Sequence, residues 1–558
     1  MKYRFLYFAF SFWFVGHTQQ SLHVDDSNLS GFENGATNYP FSSIQQAIDV
    51  ANSGDTIKVA QGNYSSISII EKKLHLIGGF TGNTEQNYDL NSEGDFLEQD
   101  LNFNFSIING DLSQACVYIS IEQQEIAGNA SINGFTIQNG QRGVSLFGEY
   151  SGFLSNITIE NNKFLNNGTE DLGQYGGAIG FEGKNITIQN NLFDGNKAGR
   201  GAAISRTAGN PENFNISYNI IRFNQGFDDH AGAVFLNGDG VFSNNLVHDN
   251  SAANAFTYGW GGGIMVFNYD TTKLITLSHN IYYNNHAPSK GGAIFIDEAA
   301  KVLLDHELIY NNTSDEGGSA IYVDADFDNN PSVVKMQNCT VTSNVSSQDL
   351  GGGIYVQASI CKIENCIFWE NGSSDFELSP DGQAASSLEV NYTLSQESFP
   401  GTSNMSSDPL FVEPINNDFH VKSSAGHFDI ATGNFILDSQ TSPAIDAGNP
   451  LSNYSLEPNP NGNRVNLGCY GNTNEASKSN LNTLADFLID EIKIYPNPSH
   501  GIFEIKNLVS DSQINIYNQS FLLIDSMKTK SEIIDLTRYN KGVYFLEINN
   551  QIQKIIIQ

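Results

Sequence analysis

The chain has 558 residues, with 61 acidic side chains against 27 basic ones, a formal net charge of −34 and 39% hydrophobic residues. That balance argues against nucleic acid as a partner, because phosphate binding needs clustered Lys and Arg, and the length exceeds one ordinary globular core unless the chain repeats itself. The 52 glycines, with abundant Asn and Ser, favour an all-β chain with many tight turns.

Residues 1–20 start with Lys2 and Arg4 and run on through Phe5-Leu6-Tyr7-Phe8-Ala9-Phe10 to Trp13-Phe14-Val15 before turning polar. A basic start and a short apolar run predict a secretory signal peptide, too short for a stable membrane span. No other apolar run approaches the ~20 residues of a spanning helix, so no transmembrane span is expected in the mature chain. Next, Ile44, Ala47, Ile48 and Ala51 recur at helical spacing, with Ser42 or Ser43 placed to cap. Strands are predicted at Thr56-Ile57-Lys58-Val59, Ile67-Ser68-Ile69-Ile70 and Leu74-His75-Leu76-Ile77, with a turn at Gly62-Asn63. The short helix would cover the open end of a first coil.

Over residues 131–371 one phrase returns nine times. Ile157-Thr158-Ile159-Glu160-Asn161-Asn162-Lys163-Phe164-Leu165-Asn166-Asn167 is matched by Ile186-Thr187-Ile188-Gln189-Asn190-Asn191-Leu192-Phe193-Asp194-Gly195-Asn196. The closing Asn recurs at Asn139, Asn167, Asn196, Asn224, Asn250, Asn285, Asn312, Asn344 and Asn371, in steps of 26 to 35 residues by subtraction. Such a unit means a solenoid, since one repeat cannot bury its apolar face alone. Asn tolerates the left-handed region and its amide can bond the next Asn in a stack, which predicts a turn and an Asn ladder at this position. Five residues earlier, Asn162, Asn191, Asn219, Asn245 and Asn280 share a slot with Cys339 and Cys366. These two cysteines either pair as a disulfide or pack as buried thiols. No CxxC spacing suggests metal held by sulfur.

Loops between the closing Asn and a following Gly-rich motif vary freely and should project from one face. The residue just before that motif forms a column: Arg142, Tyr175, Arg200, His230, Trp260 and Lys290, then Gly317 and Leu350. At ~4.8 Å per coil the first six span roughly 24 Å, a reach suited to an extended polymer. Aromatic rings can stack on sugars, and Arg or Lys can pair with carboxylate or sulfate. Beyond residue 371 the repeat fades. Residues 472–486 read as a linker, and residues 487–558 carry short alternating strands of a small β-sandwich.

The stretch Pro40-Phe41-Ser42-Ser43-Ile44-Gln45-Gln46-Ala47-Ile48, with the repeats that follow, resembles secreted right-handed parallel β-helix proteins of the pectin-lyase-like class. The pairing of Gly-Gly-Ala-Ile (Gly176, Gly177, Ala178, Ile179; Gly291, Gly292, Ala293, Ile294) with Phe-x-x-Asn phrases is also similar to repeats of chlamydial polymorphic outer-membrane adhesins. Asp408-Pro409-Leu410-Phe411, Ser442-Pro443-Ala444-Ile445-Asp446-Ala447-Gly448 and Gly468-Cys469-Tyr470-Gly471 resemble the closing phrases of choice-of-anchor Q β-helix proteins, so residues 405–471 are expected to cap a helix domain spanning 25–475. Tyr495-Pro496-Asn497-Pro498 and the phrase from Asp535 to Ile548 resemble the type A sorting domain of the Bacteroidetes type IX secretion system. That resemblance implies export by the type IX machinery and a place outside the cell or on its surface.

The expected fold is therefore all-β: a right-handed single-stranded parallel β-helix with an N-terminal helical cap, followed by a small β-sandwich. Three functions stay open. The chain could bind an extended polysaccharide or cell-surface glycan through the ridge in the manner of an adhesin, with no cofactor required and as a monomer. It could act as a lyase, which needs a base, a cation and often calcium, with Arg200, Arg206, Arg222, Asp228, Asp229 and His230 as candidates. A hydrolase would instead need facing carboxylates, for which Asp228, Asp229, Asp315 and Glu316 are available. The third reading is a structural rod.

Overall fold

The protein is described by a computed structural model over residues 19–83, 88, 92–148, 154–206, 211–228, 230, 232–252, 259–268, 270–348, 350–379, 386–480, 493–506, 512–519, 522–529, 531–548 and 551–558. Nearly all of the expected signal peptide and residues 481–486 of the expected linker lie outside these residues.

One coil shows the logic of all. Lys184–Gln189 lies on a first face, Leu192–Asp194 on a second, Lys197–Ala198 on a narrow strip, and Ile204–Arg206 on a third. Among the described residues these faces are parallel sheets of 13, 12, 6 and 11 strands respectively. Alternation puts Ile186 and Ile188 inside, where each sits in register with its counterpart one coil away, Ile157 on Ile186 and Ile188 on Ile216. Inward Phe164 and Phe193 stack at 4.9 Å with their rings 4° from parallel. Each such side chain stabilises the stack by roughly 1.5–3 kcal/mol through burial.

Two Asn ladders run inside the corners. Asn196 donates its N–H to Asn224 Oδ1 at 3.0 Å, and its Nδ2 donates to that same oxygen at 2.9 Å and to Phe164 O at 3.0 Å. The pattern continues through Asn344 to Asn371. A second ladder joins Asn162, Asn191, Asn219, Asn245 and Asn280. The left-handed turn expected at the closing Asn is found there at Asn139 (φ 56°) but falls one residue earlier in the coils that follow, as at Asn166 (φ 51°), Phe223 (φ 54°) and Glu370 (φ 57°). An amide that must point inward cannot also make the outward kink, so the predecessor takes it whatever its side chain.

The second ladder ends at Glu307, which occupies the next slot with its side chain wholly buried. Asn280 Nδ2 donates to its two carboxyl oxygens at 3.1 and 3.2 Å. Below it, the Glu307 N–H points at Cys339 Sγ (3.4 Å) and the Cys339 N–H at Cys366 Sγ (3.3 Å). Both thiols are free, as are Cys116, Cys361 and Cys469, so the slot is a thiol stack and not a disulfide.

The helix Ile44–Val50 buries Ile44, Ala47 and Ile48 over the first coil. Ser43 holds the N-cap position but makes no side-chain capping bond. A strand at Ser21–Val24 precedes it and pairs with Thr56–Ala60. Gly62-Asn63, read as a turn, belongs to a strand, Gly62–Tyr64, because it pairs with Ser106–Asn109 in the second face.

Residues 406–480 do not simply plug the end of the helix. They fold back as a lateral buttress on the outer side of the second face. Phe411, Phe419, Val421, Ala444 and Leu467 pack there on Leu308, Tyr310, Ile367 and Leu394. His306 Nε2 meets Gly471 O at 2.8 Å, and the Cys469 N–H donates to Thr340 Oγ1 at 3.0 Å. Ser477 Oγ donates to Val421 O and Ser479 Oγ to Asp446 Oδ1, so the first part of the expected linker belongs to the buttress.

The last unit is a sandwich of two antiparallel sheets. Lys493–Tyr495, Ile502–Lys506 and Ile533–Asp535 form one, and Ser512–Tyr517, Leu523–Thr529, Gly542–Ile548 and Gln551–Ile557 the other. Phe503, Ile505, Ile514, Ile516, Leu546 and Ile548 fill its core. Among the described residues no helix is long and apolar enough to cross a membrane.

Candidate functional site

The column before the Gly motifs is a physical ladder. Tyr175 bridges to Arg200, and His230 bridges to Trp260, Trp260 to Lys290 and Lys290 to Gly317, all in parallel. Gly261 and Gly291, with φ of 65° and 69°, make the bend that turns each coil into the third face.

Inside this column the side chains are already committed to one another. The Arg142 guanidinium donates to Tyr175 O at 2.6 Å and Gly176 O at 2.9 Å, and burial lowers its pKa. It ties two coils together. Arg200 donates through Nε to Asp228 Oδ2 at 2.6 Å and through Nη1 to the Tyr175 hydroxyl at 2.9 Å. Lys290 Nζ lies 4.0 Å from Asp324 Oδ2 and 4.7 Å from the centre of the Tyr322 ring.

Beside the column, the outward positions of the third face carry Phe235, Met265, Phe295, Tyr322 and Tyr355 in register. Trp260 stacks on Phe295 at 5.5 Å, Phe295 on Tyr322 at 5.4 Å, and Tyr322 on Tyr355 at 4.7 Å, each within 16° of parallel. Ring faces are thus spent on the neighbouring coils, and Trp260 and Tyr355 are half-buried. The expectation of open aromatic platforms is modified accordingly.

Of the lyase candidates, Arg200, Asp228, His230 and Arg206 share this face. The Arg206 guanidinium sits over Phe235 at 5.6 Å and Phe267 at 5.8 Å. Arg222 stands on the second face, paired with Asp194 at 2.8 Å, and is not brought to them. Asp229 lies outside the described residues. Asp315 accepts from Ser347 Oγ and Glu316 from Ser289 Oγ in their own loop stack.

Sequence reasoning passed over Asp297 and Asp324. They follow Phe267 in the next outward column, on adjacent coils, since Phe267 is in register with Asp297 and Ile296 with Val323. Burial, and then the neighbouring Asp324 charge, push the Asp297 pKa up to about 8. Burial also raises Asp324, with Lys290 opposing. The signal was available in the outward parity of the two strands, but a lone Asp after an apolar triplet reads as a solvated strand end.

Calcium takes six to eight oxygen ligands, several of them ionised. Among the described residues no group of three or more His, Cys, Asp or Glu is arranged to hold a metal ion.

Comparisons with known proteins place the chain. A family model described as a right handed beta helix region matches residues 99–275 and 254–380. One described as a secretion system C-terminal sorting domain matches residues 493–558, and one described as disaggregatase related matches residues 384–448. No curated protein matches. Similar solved structures include pectate lyase Pel9A, at 15% identity over 81% of this chain and 96% of that one with a TM-score of 0.42. XylC in complex with xylose is 10% identical over 96% and 100%, with a TM-score of 0.32. A rhamnogalacturonan lyase is 12% identical over 70% and 85%, with a TM-score of 0.22. The sorting domain marks a type IX secretion substrate, delivered outside the cell or to its surface. With a family model matching just over half its length, the chain belongs to the right handed beta helix family.

Proposed function

We propose that the protein binds an extended polysaccharide or cell-surface glycan along the ridge from Tyr175 to Lys290, in the manner of an adhesin and without turnover. The observation that carries this reading is the pair of parallel ladder segments, Tyr175 with Arg200 and His230 with Trp260 and Lys290, which repeat a polar or aromatic side chain on successive coils. A linear polymer can meet such a row with one contact per step, and many weak contacts on a rigid support add without further ordering cost. Delivery outside the cell supports a glycan as the available partner.

A second reading, lyase or hydrolase, has one observation in its favour. Asp297 is a half-buried carboxyl whose pKa is pushed up by its surroundings beside Asp324 and Lys290, and perturbed groups of this kind gather at catalytic sites. Purified protein incubated with uronate and neutral polysaccharides, assayed for unsaturated products and new reducing ends, alongside a glycan array, separates the readings. Array binding with no product supports the binder; turnover of any polymer would sink it.

A further inference from the structure

Resting on the ridge as a glycan-binding surface, we propose that its ligand is an uncharged, hydroxyl-rich glycan and not a uronate or sulfated polymer. The cations of this face already have partners. Arg142 is held by two backbone carbonyls, Arg200 by Asp228, Arg206 lies over two aromatic rings, and Lys290 faces Asp324. The Arg200 and Asp228 side chains are only 25% and 22% exposed, those of Lys290 and Asp324 25% and 21%, so both pairs are partly desolvated.

An anionic polymer that pairs with Arg200 or Lys290 has to draw it away from its carboxylate. That carboxylate would then face both the polymer's negative charge and low-dielectric surroundings, a like-charge arrangement that interfaces avoid. Asp297 lies beside the second pair and would gain a further repulsion on ionising. At longer range the net charge of −34 repels polyanions in dilute salt.

A hydroxyl meets no such conflict. A paired carboxylate keeps lone pairs for O–H donors, and a paired guanidinium keeps N–H groups for oxygen acceptors. The Tyr175 hydroxyl and the indole N–H of Trp260 extend the same mixed row. Because the aromatic ring faces are spent on neighbouring coils, recognition rests on hydrogen bonds along the row, with limited ring stacking.

The test is affinity electrophoresis of the purified full chain in gels containing a neutral β-glucan, a galactomannan, polygalacturonate or carrageenan, with EDTA and again with calcium. The expected result is retardation by a neutral polymer, changed less than about twofold by added salt because no counterions are released, and weakened about tenfold by Trp260→Ala. The double variant Asp228→Asn/Asp324→Asn, which frees Arg200 and Lys290, should gain retardation by polygalacturonate. Retardation of the native chain by polygalacturonate or carrageenan, with or without calcium, overturns the ligand class but leaves the ridge as a glycan site. Retardation by none of the polymers, with the double variant equally inert, overturns the ridge reading itself.

Discussion

Glu307 is the point where the interior breaks its own rule, and replacing it isolates the cost. Its carboxyl fills an Asn slot, takes two bonds from Asn280, lies against the Tyr282 phenol and is wholly buried. Burial is the largest cause raising its pKa well above 4.5, with the Asn280 bonds opposing. For a group raised in the folded state, the stability it contributes is complete below the unfolded pKa and is lost as pH climbs through the folded one. Each pH unit over which the folded chain keeps a proton that the unfolded chain has released costs about 1.4 kcal/mol. Glu307→Gln keeps the length and the acceptor for Asn280 but cannot ionise. Amide exchange in Ile281–Tyr283, Leu308–Tyr310 and Thr340–Thr342 should match the native chain at pH 4 and be slower in the variant at pH 6.5, by about tenfold for each pH unit over which the folded chain keeps that proton, after correction for intrinsic rates. An identical variant-to-native ratio at the two pH values would refute the reasoning.

Three further outcomes follow from the same geometry. Asn224→Ala removes the acceptor used by Asn196 and the donor to Phe193 O, Arg222 O and Asn250 Oδ1, so it should cost about 3–5 kcal/mol in urea unfolding, since several buried groups lose partners at once. Thiol titration should find no rapidly reacting cysteine in the native protein and all five after denaturation without reductant; a deficit of two would mean a disulfide. His420 has carboxylates at both ring nitrogens, Asp418 at 2.7 Å and Glu475 at 3.5 Å, and Tyr470 stacked at 3.6 Å. Burial lowers its pKa, the two carboxylates outweigh that, and the net shift is upward from 6.5, so its stabilisation is complete below that pH and is lost as pH rises through the folded value. Proteolysis within 406–480 should accelerate between pH 6 and 9, and a flat rate there counts against the ion cluster.

The coil plan was legible because period-two alternation and in-register stacking constrain each other: once Ile186 and Ile188 face inward, their counterparts in every coil must do the same. The Asn ladder was legible for the same reason, since an amide repeated at one slot has only its neighbours to bond. Which residue takes the left-handed turn was not, because Phe223 and Glu370 adopt it under compulsion from the inward amide next to them, against their own preference. Glu307 was hidden by being a single exception in a column otherwise filled by Asn or Cys. The buttress was hidden for another reason. Its phrases say that they end a helix, but their docking on Leu308, Tyr310 and Ile367 is a long-range contact with no local period to announce it. On the ridge, the sequence places Arg200 and Lys290 correctly in a column but cannot reveal that Asp228 and Asp324 already neutralise them.

That last point divides the surface. The second face is covered by the buttress at Leu308, Tyr310, Ile367 and Leu394, and the inner corners are closed by the Asn ladders, while the column before the Gly motifs carries half-buried polar and aromatic side chains along several coils. Side chains there do not enter the ladders. A change such as Lys290→Gln or Trp260→Ala alters what the row can bond while leaving every inward contact of its coil intact. Ligand choice can therefore be altered one coil at a time, at about the cost of a half-exposed substitution, whereas the same change at Asn285 or Ile294 would strip buried bonds or packing from two neighbours at once. The separation of inward invariance from outward freedom is what allows a single repeat plan to carry a ligand-specific surface without loss of the rod.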